Sequence, residues 1–218
     1  MTPTPVLWQN RVMAGQALAT LLSAWSDQGE RTTVIGLPRG GVVVAAAVAQ
    51  QLHLPLSSWA VRKLALPGNP EFAIGAIAAG DVVVWNPAAE PSLTPQLRQQ
   101  LITNAWPELV ARQQRFNQPP AERLQGQTLI VVDDGVATGM TVRAALIALR
   151  QCRPRQLVLA VPVLDRELLP ELRNLVDDLV VARVVDQLQA VGRYYANFDQ
   201  VCDSEVCALL EQSNRRDR

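Results

Sequence analysis

Apolar residues recur at Val12, Leu18, Leu21, Leu22 and Trp25, and Asp27-Gln28-Gly29 then supplies a stop. That spacing predicts an amphipathic helix over residues 10–26. Thr32-Thr33-Val34-Ile35-Gly36 reads as a short buried strand, and 42–52, apolar except for Gln50-Gln51 and rich in alanine, reads as a helix lying flat on a sheet. Further strands are expected at 56–61, 72–79 and 82–85, the last two joined through the turn-forming pair Gly80-Asp81. Between the first two of these, Ala65-Leu66-Pro67-Gly68-Asn69-Pro70-Glu71 reads as an irregular loop. Leu97, Leu101, Ala105, Leu109 and Phe116 continue a helical stripe, in which Pro107 is expected to cause a kink or begin a second helix.

The run 128–132 is a buried strand that ends in two acids, and a helix over 141–150 follows a short glycine-containing turn. Strands at 156–163 and 179–185 enclose a helical stretch at 165–174, and the tail 213–218 reads as disordered. Strands alternating with helices predict an α/β fold with a parallel sheet covered by helices on both faces.

Composition narrows the class. The chain has 218 residues, 49% of them hydrophobic, enough for one large domain or a core with a small appendage. Twenty Lys and Arg balance twenty Asp and Glu, so no overall positive field exists to hold a nucleic acid or an anionic membrane surface. Any anionic ligand must be gripped locally. The three cysteines, Cys152, Cys202 and Cys207, lack paired metal or redox spacing and read as reduced cytoplasmic thiols. No stretch is long and apolar enough for a membrane span, and the polar start has no export pattern, so a cytoplasmic, unexported protein is expected. A single histidine, His53, excludes Ser-His-Asp, Cys-His and multi-histidine metal chemistry within one chain, and reads as structural.

In open α/β sheets ligands bind beyond the carboxyl ends of the strands, and three such places carry unusual residues. After strand 128–132 come Asp133 and Asp134, then Gly135-Val136-Ala137-Thr138-Gly139-Met140-Thr141 leading into a helix. Backbone amides at a helix start, with the Thr138 and Thr141 hydroxyls, suit a phosphate, and the carboxylates suit ribose hydroxyls or the water shell of Mg²⁺. The plainer explanation is that the acids only cap the helix. The second place is Gly36-Leu37-Pro38-Arg39-Gly40-Gly41, where backbone can approach an anion closely, though such a pair of glycines is often just a turn. Arg62-Lys63 is the third, expected at the end of its strand; a surface basic pair is commonly only solvated charge.

The four apolar residues, two acids and Gly-Val-Ala-Thr-Gly-Met-Thr resemble the phosphoribosyl pyrophosphate signature of type I phosphoribosyltransferases. Gly135 stands where a larger apolar residue or serine is usual, and Ala137 where many members carry a hydroxyl. The glycine loop resembles the family's pyrophosphate loop, with a cis peptide implied between Pro38 and Arg39, and Arg62-Lys63 resembles the pair that opens its flexible catalytic loop. The resemblance implies a type I phosphoribosyltransferase-like parallel sheet plus a small hood, in one domain over 1–218 with an insertion at about 81–120 and a C-terminal hood segment at about 186–210. It further implies that Ala137, Thr138, Gly139, Met140 and Thr141 bind the 5′-phosphate. Asp133 and Asp134 would contact the ribose and, through water, Mg²⁺ as cofactor. Arg39, Gly40, Arg62 and Lys63 would face pyrophosphate, with Arg39, Arg62, Lys63 and Asp134 carrying catalysis.

The implied reaction is transfer of the phosphoribosyl group of phosphoribosyl pyrophosphate to a small planar nitrogenous acceptor, purine or pyrimidine. Tyr194, Tyr195 or Phe198 could stack on that base, or could simply pack over the core. Oligomeric state stays open, many members being homodimers. The rival is a non-catalytic regulator that senses phosphoribosyl pyrophosphate. A dinucleotide-binding dehydrogenase lacks its G-x-G-x-x-G here, and a P-loop kinase lacks its Gly-Lys-Ser/Thr.

Overall fold

The computed structural model describes residues 6–66 and 69–216. In chain order the elements are α1 (Arg11–Leu21), β1 (Thr32–Gly36), α2 (Gly40–Leu52), β2 (Leu56–Ser58), β3 (Val61–Leu66), β4 (Asn69–Ala78), β5 (Val82–Trp85), α3 (Pro95–Arg115), α4 (Ala121–Leu124), β6 (Thr128–Val132), α5 (Met140–Gln151), β7 (Gln156–Asp165), α6 (Leu169–Leu175), β8 (Asp178–Val185) and α7 (Asp203–Arg216). Five strands form a parallel sheet in the order β2-β1-β6-β7-β8. The order reverses beside β1 and β6, where two crossovers run to opposite sides, and there the strand ends open a crevice.

Strand side chains alternate between two apolar layers. Val34, Ile130, Val132, Val158 and Ala160 pack with α1, α2 and α7. Ile35, Leu129, Val131, Leu157 and Leu159 pack with α5 on the other face. Burial on both faces is why these strands read as unbroken apolar runs. A second, antiparallel sheet, β3-β4-β5, lies between α5 and α3. Ala76 and Ala78 of β4 face the α5 layer, whereas Ile74 and Ile77 face Leu101 and Leu109 of α3.

Several expectations are corrected. The strand expected at 56–61 ends at Ser58; the chain leaves the parallel sheet through the buried Trp59 and Ala60, and Val61 opens β3 of the other sheet. The Trp59 amide donates to Gly36 O and the Ala60 amide to Gln118 Oε1, which satisfies the backbone at the crossing. Arg62 and Lys63 therefore do not follow a strand end but sit within β3, opposite Ile77 and Ala76. The loop expected at 65–71 is largely strand, because cross-strand pairing carries β3 to Leu66 and starts β4 at Asn69; Pro67 and Gly68 lie outside the described residues.

Pro107 neither ends α3 nor begins another helix, and the helix runs from the Thr94 cap to Arg115. In α1, Val12 and Leu21 are exposed, and the buried face is Ala14, Gly15, Leu18 and Ala19. Small residues let α1 approach α2 closely, so size rather than hydropathy chose that face. The tail read as disordered is helical through Arg216, since Val206 and Leu210 of α7 pack on the α2 layer; residues 217–218 lie outside the described set.

His53 ends α2 in a left-handed conformation, its exposed ring 2.9 Å from Asp27 Oδ1. All three cysteines are free. Among the described residues no helix is long and apolar enough to cross a membrane.

Candidate functional site

Strand register creates the site. Gly36 of β1 pairs with Val132 of β6, and the Leu37 amide donates to Val132 O at 2.9 Å. The loop at Pro38 to Gly40 and the acids at Asp133 and Asp134 thus leave adjacent strands side by side. The Pro38–Arg39 peptide bond is cis, as the resemblance implied. Gly40 is pressed against the acids so closely that a Cβ there would stand 2.0 Å from Asp134 Oδ2. Only glycine fits that approach.

Asp134 Oδ2 accepts from Arg11 Nε at 2.7 Å, and the two side chains are 15% and 11% exposed. Arg11 also donates to Asp199 O at 2.8 Å, and its guanidinium lies 3.7 Å over the Phe198 ring. The Tyr195 hydroxyl donates to Asp134 O at 2.7 Å. Segments from both ends of the chain meet here, since Trp8 bridges Tyr195 and the Ala196 amide donates to Trp8 O. Tyr194 and Tyr195 are buried, and Arg11 covers a face of Phe198. The aromatic trio therefore forms packing around the acids, with Tyr195 spending its hydroxyl on the backbone.

Burial pushes the Asp133 carboxyl well above its usual range, and the neighbouring Asp134 charge adds to this. Asp134 is also raised by burial, opposed mainly by the Arg11 hydrogen bond. Lys63, exposed on β3, pulls both acids the other way, which places its ammonium within electrostatic reach of them. Asp133 Oδ1 accepts from the Asp134 amide at 2.9 Å. Each acid thus has one oxygen without a protein donor among the described residues.

Beyond the acids the chain is fastened to β7: the Val136 amide donates to Val163 O, and the Asp165 amide to Val136 O. Gly135, at φ 156°, has Val191 and Val163 side chains 2.6 and 2.7 Å from where a Cβ would stand. That crowding explains the departure noted in the sequence, because the C-terminal segment fills the volume a larger residue would take. The amides of Ala137, Thr138, Gly139, Met140 and Thr141 donate to no protein acceptor among the described residues, and Gly139 brings no side-chain cap to α5. A turn of free amides at a helix start, with Thr138 exposed and Thr141 half-buried, can hold an anion.

Arg39 lies 3.8 Å from Asp203 at the start of α7, and Asp203 also pairs with Arg115 of α3. Arg62 pairs with Glu108 of α3 at 2.9 Å. The Arg39–Gly40 loop, the two acids and the turn 137–141 thus share this end of the sheet, whereas Arg62 and Lys63 occupy adjacent positions of β3, Arg62 paired with Glu108 of α3 and Lys63 acting on the acids. Arg11, Glu108, Arg112, Arg115 and Asp203 were missed. Arg11 offered one signal, a cation at the first position of a helix, where the macrodipole disfavours it. Asp203 reads as a helix cap, and Glu108 with Arg112 as an ordinary surface pair four residues apart.

Three surface hollows lie elsewhere: on the outer face of α3 around Gln99 and Thr103, between α2 and α7 near His53, and between α5 and α6 near Arg150. None includes Asp133 or Asp134. The acids keep partial exposure at the strand ends, where charged side chains and free amides converge.

A family model described as "Phosphoribosyl transferase domain" matches residues 8–192. Proteins of two Mycobacterium tuberculosis strains, CDC 1551 and H37Rv, both carrying the name "Putative phosphoribosyl transferase", are 37% identical over 217 residues. The match covers 96% of this chain and 47% of theirs, so the chain spans about half the length of these relatives. The crystal structure of TT1426 from Thermus thermophilus superposes with a TM-score of 0.74 at 36% identity, covering 94% of this chain and 98% of that one.

Proposed function

The chain belongs to the phosphoribosyl transferase domain family, and from that premise we propose that it transfers the phosphoribosyl group of phosphoribosyl pyrophosphate to a nitrogenous base. The observation that carries this reading is the row of free amides from Ala137 to Thr141, which directly follows two partly exposed carboxylates. A 5′-phosphate accepts from those amides and from the Thr138 and Thr141 hydroxyls. The carboxylates of Asp133 and Asp134 then meet the ribose hydroxyls.

The donor set also fits Mg²⁺. Two carboxylates with one oxygen each to offer, and no cluster of three or more ligating side chains among the described residues, suit a cation that keeps its waters and takes its other ligands from substrate oxygens. When bound, Mg²⁺ would neutralise charge on pyrophosphate and lower the cost of two adjacent, largely buried acids.

In the reaction the acceptor nitrogen forms a bond to the anomeric carbon as the bond from that carbon to pyrophosphate oxygen breaks. Pyrophosphate leaves with the electron pair, and the acceptor's proton passes to solvent. Arg39, Gly40, Arg62 and Lys63 border the departing anion, and the acids hold the sugar as positive charge develops on the ring. Gly40 and Gly41 let the loop lie against the two acids, and Arg11 keeps Asp134 oriented.

Pyrophosphate release, followed with Mg²⁺, phosphoribosyl pyrophosphate and a panel of purines and pyrimidines, tests the reading. Turnover on one class of base identifies the acceptor. Absence of phosphoribosyl pyrophosphate binding would overturn the proposal, and tight binding without turnover on any base would favour a sensor.

A further inference from the structure

Glu108 divides its carboxylate between two arginines from different elements. Its Oε2 lies 2.9 Å from Arg62 Nη2 of β3 in an ion pair, and its Oε1 accepts from Arg112 Nη2, one turn along α3, at 3.1 Å. Asp203 is shared in the same way between Arg39 and Arg115. Four guanidiniums against two carboxylates leave an excess of two positive charges in a chain whose net charge is zero. The excess is therefore a local construction.

Arg112 is the most enclosed of the four, its side chain 22% exposed. Burial presses its pKa down, and the charges of Arg62, Asp203 and Arg39 all act on it, so these groups surround it. An ordinary surface pair on a helix would have both partners solvated and one acid for one base. Here one acid serves two bases across an element boundary, and the cation is mostly withdrawn from water. A partly desolvated guanidinium with half a counterion is stabilised by a further anion.

We propose that Arg112 is a pyrophosphate ligand, so that α3 forms a wall of the leaving-group site beside Arg39 and Arg62, with Glu108 as the internal counterion that competes with the anion for Arg62 and Arg112. The inference rests on the phosphoribosyl pyrophosphate reading above. It adds a pyrophosphate contact from α3, the helix between the antiparallel sheet and β6 in chain order.

The test titrates the full chain by calorimetry with two probes, Mg²⁺-pyrophosphate and ribose 5-phosphate. R112Q is expected to weaken pyrophosphate binding about 10- to 100-fold, the worth of a charge-assisted hydrogen bond, and to leave ribose 5-phosphate affinity unchanged. R112K, which keeps the charge and loses the planar fork, should fall between. Equal weakening of both probes would mean a structural role and overturn the inference, as would unchanged pyrophosphate affinity. Should R112Q not fold, E108Q reads the same contact: freeing both guanidiniums is expected to tighten pyrophosphate binding severalfold, and unchanged or weaker binding would overturn it. If the unaltered chain binds neither probe, the phosphoribosyl pyrophosphate reading itself fails and this inference falls with it.

Discussion

Arg11 Nε and Asp134 Oδ2 lie 2.7 Å apart, joining the first helix to the acid beyond β6. The same guanidinium reaches Asp199 O and covers Phe198, so one side chain ties both ends of the chain to the strand-end acids.

Removing that guanidinium leaves a buried carboxylate without its cation. R11A is expected to lower stability by about 3–5 kcal/mol, measured by denaturant unfolding. The double variant with D134N should be less destabilised than the two single effects added together, because the uncompensated charge is gone.

Gly40 packs against the same carboxylate. G40A forces either the loop or Asp134 to move, and a displacement of about 1 Å costs on the order of 100-fold in turnover. The pyrophosphate-release assay reads this directly, with circular dichroism showing that the fold persists.

Thr138 and Thr141 stand at the start of α5 beside the free amides. T141V removes a hydroxyl and keeps the side-chain shape. Ribose 5-phosphate affinity is expected to fall about 10-fold, whereas Mg²⁺-pyrophosphate affinity should not change; calorimetry with the two probes separates these outcomes.

Asp165 ends β7 and is buried, with Oδ2 accepting from the Leu188 amide at 2.6 Å and Oδ1 from the Glu167 amide at 2.9 Å. D165A strands two amides, one of them buried. The expected loss is about 2–4 kcal/mol, with faster hydrogen exchange at Leu188 than at β6.

Asp177 accepts from Arg150 and from the Leu157 amide, and the Arg150 hydrogen bond is the main cause holding its pKa below the usual carboxylate range. A depressed folded pKa stabilises the fold above the unfolded value, and that contribution is lost as pH falls through the folded pKa. D177N should therefore be less stable than the unaltered chain at pH 7. The two melting temperatures should converge below the usual carboxylate range; an equal gap at every pH would exclude the linkage.

Two strands whose both faces are covered were readable to their ends, 32–36 as β1 and 128–132 as β6, whereas β7, equally covered, runs two residues past the expected 163. Val34, Ile35 and Leu129 to Val132 are apolar because neither face meets water, and the acids and glycines that stop these strands are also the groups set at the crevice. The loop carrying Arg39 and Gly40 and the segment from Asp133 to Thr141 were legible for the same reason. By contrast β3 and β4 were blurred, because Pro67, Gly68 and Pro70 signal a loop while the pairing that makes these strands comes from across the ladder.

The order of apolar runs, the acids that end β6 and the glycines that open α2 come from local chemistry, so the sequence alone determined the α/β class and the main binding groups. Only the tertiary structure decided that Val61 begins a separate sheet, that Arg11 holds Asp134 from 123 positions away, and that Glu108 gathers Arg62 and Arg112. The pattern along a chain records which side chains must leave water, but not which partner each will meet; that choice is made by the packing of distant elements, where charge and shape are satisfied together.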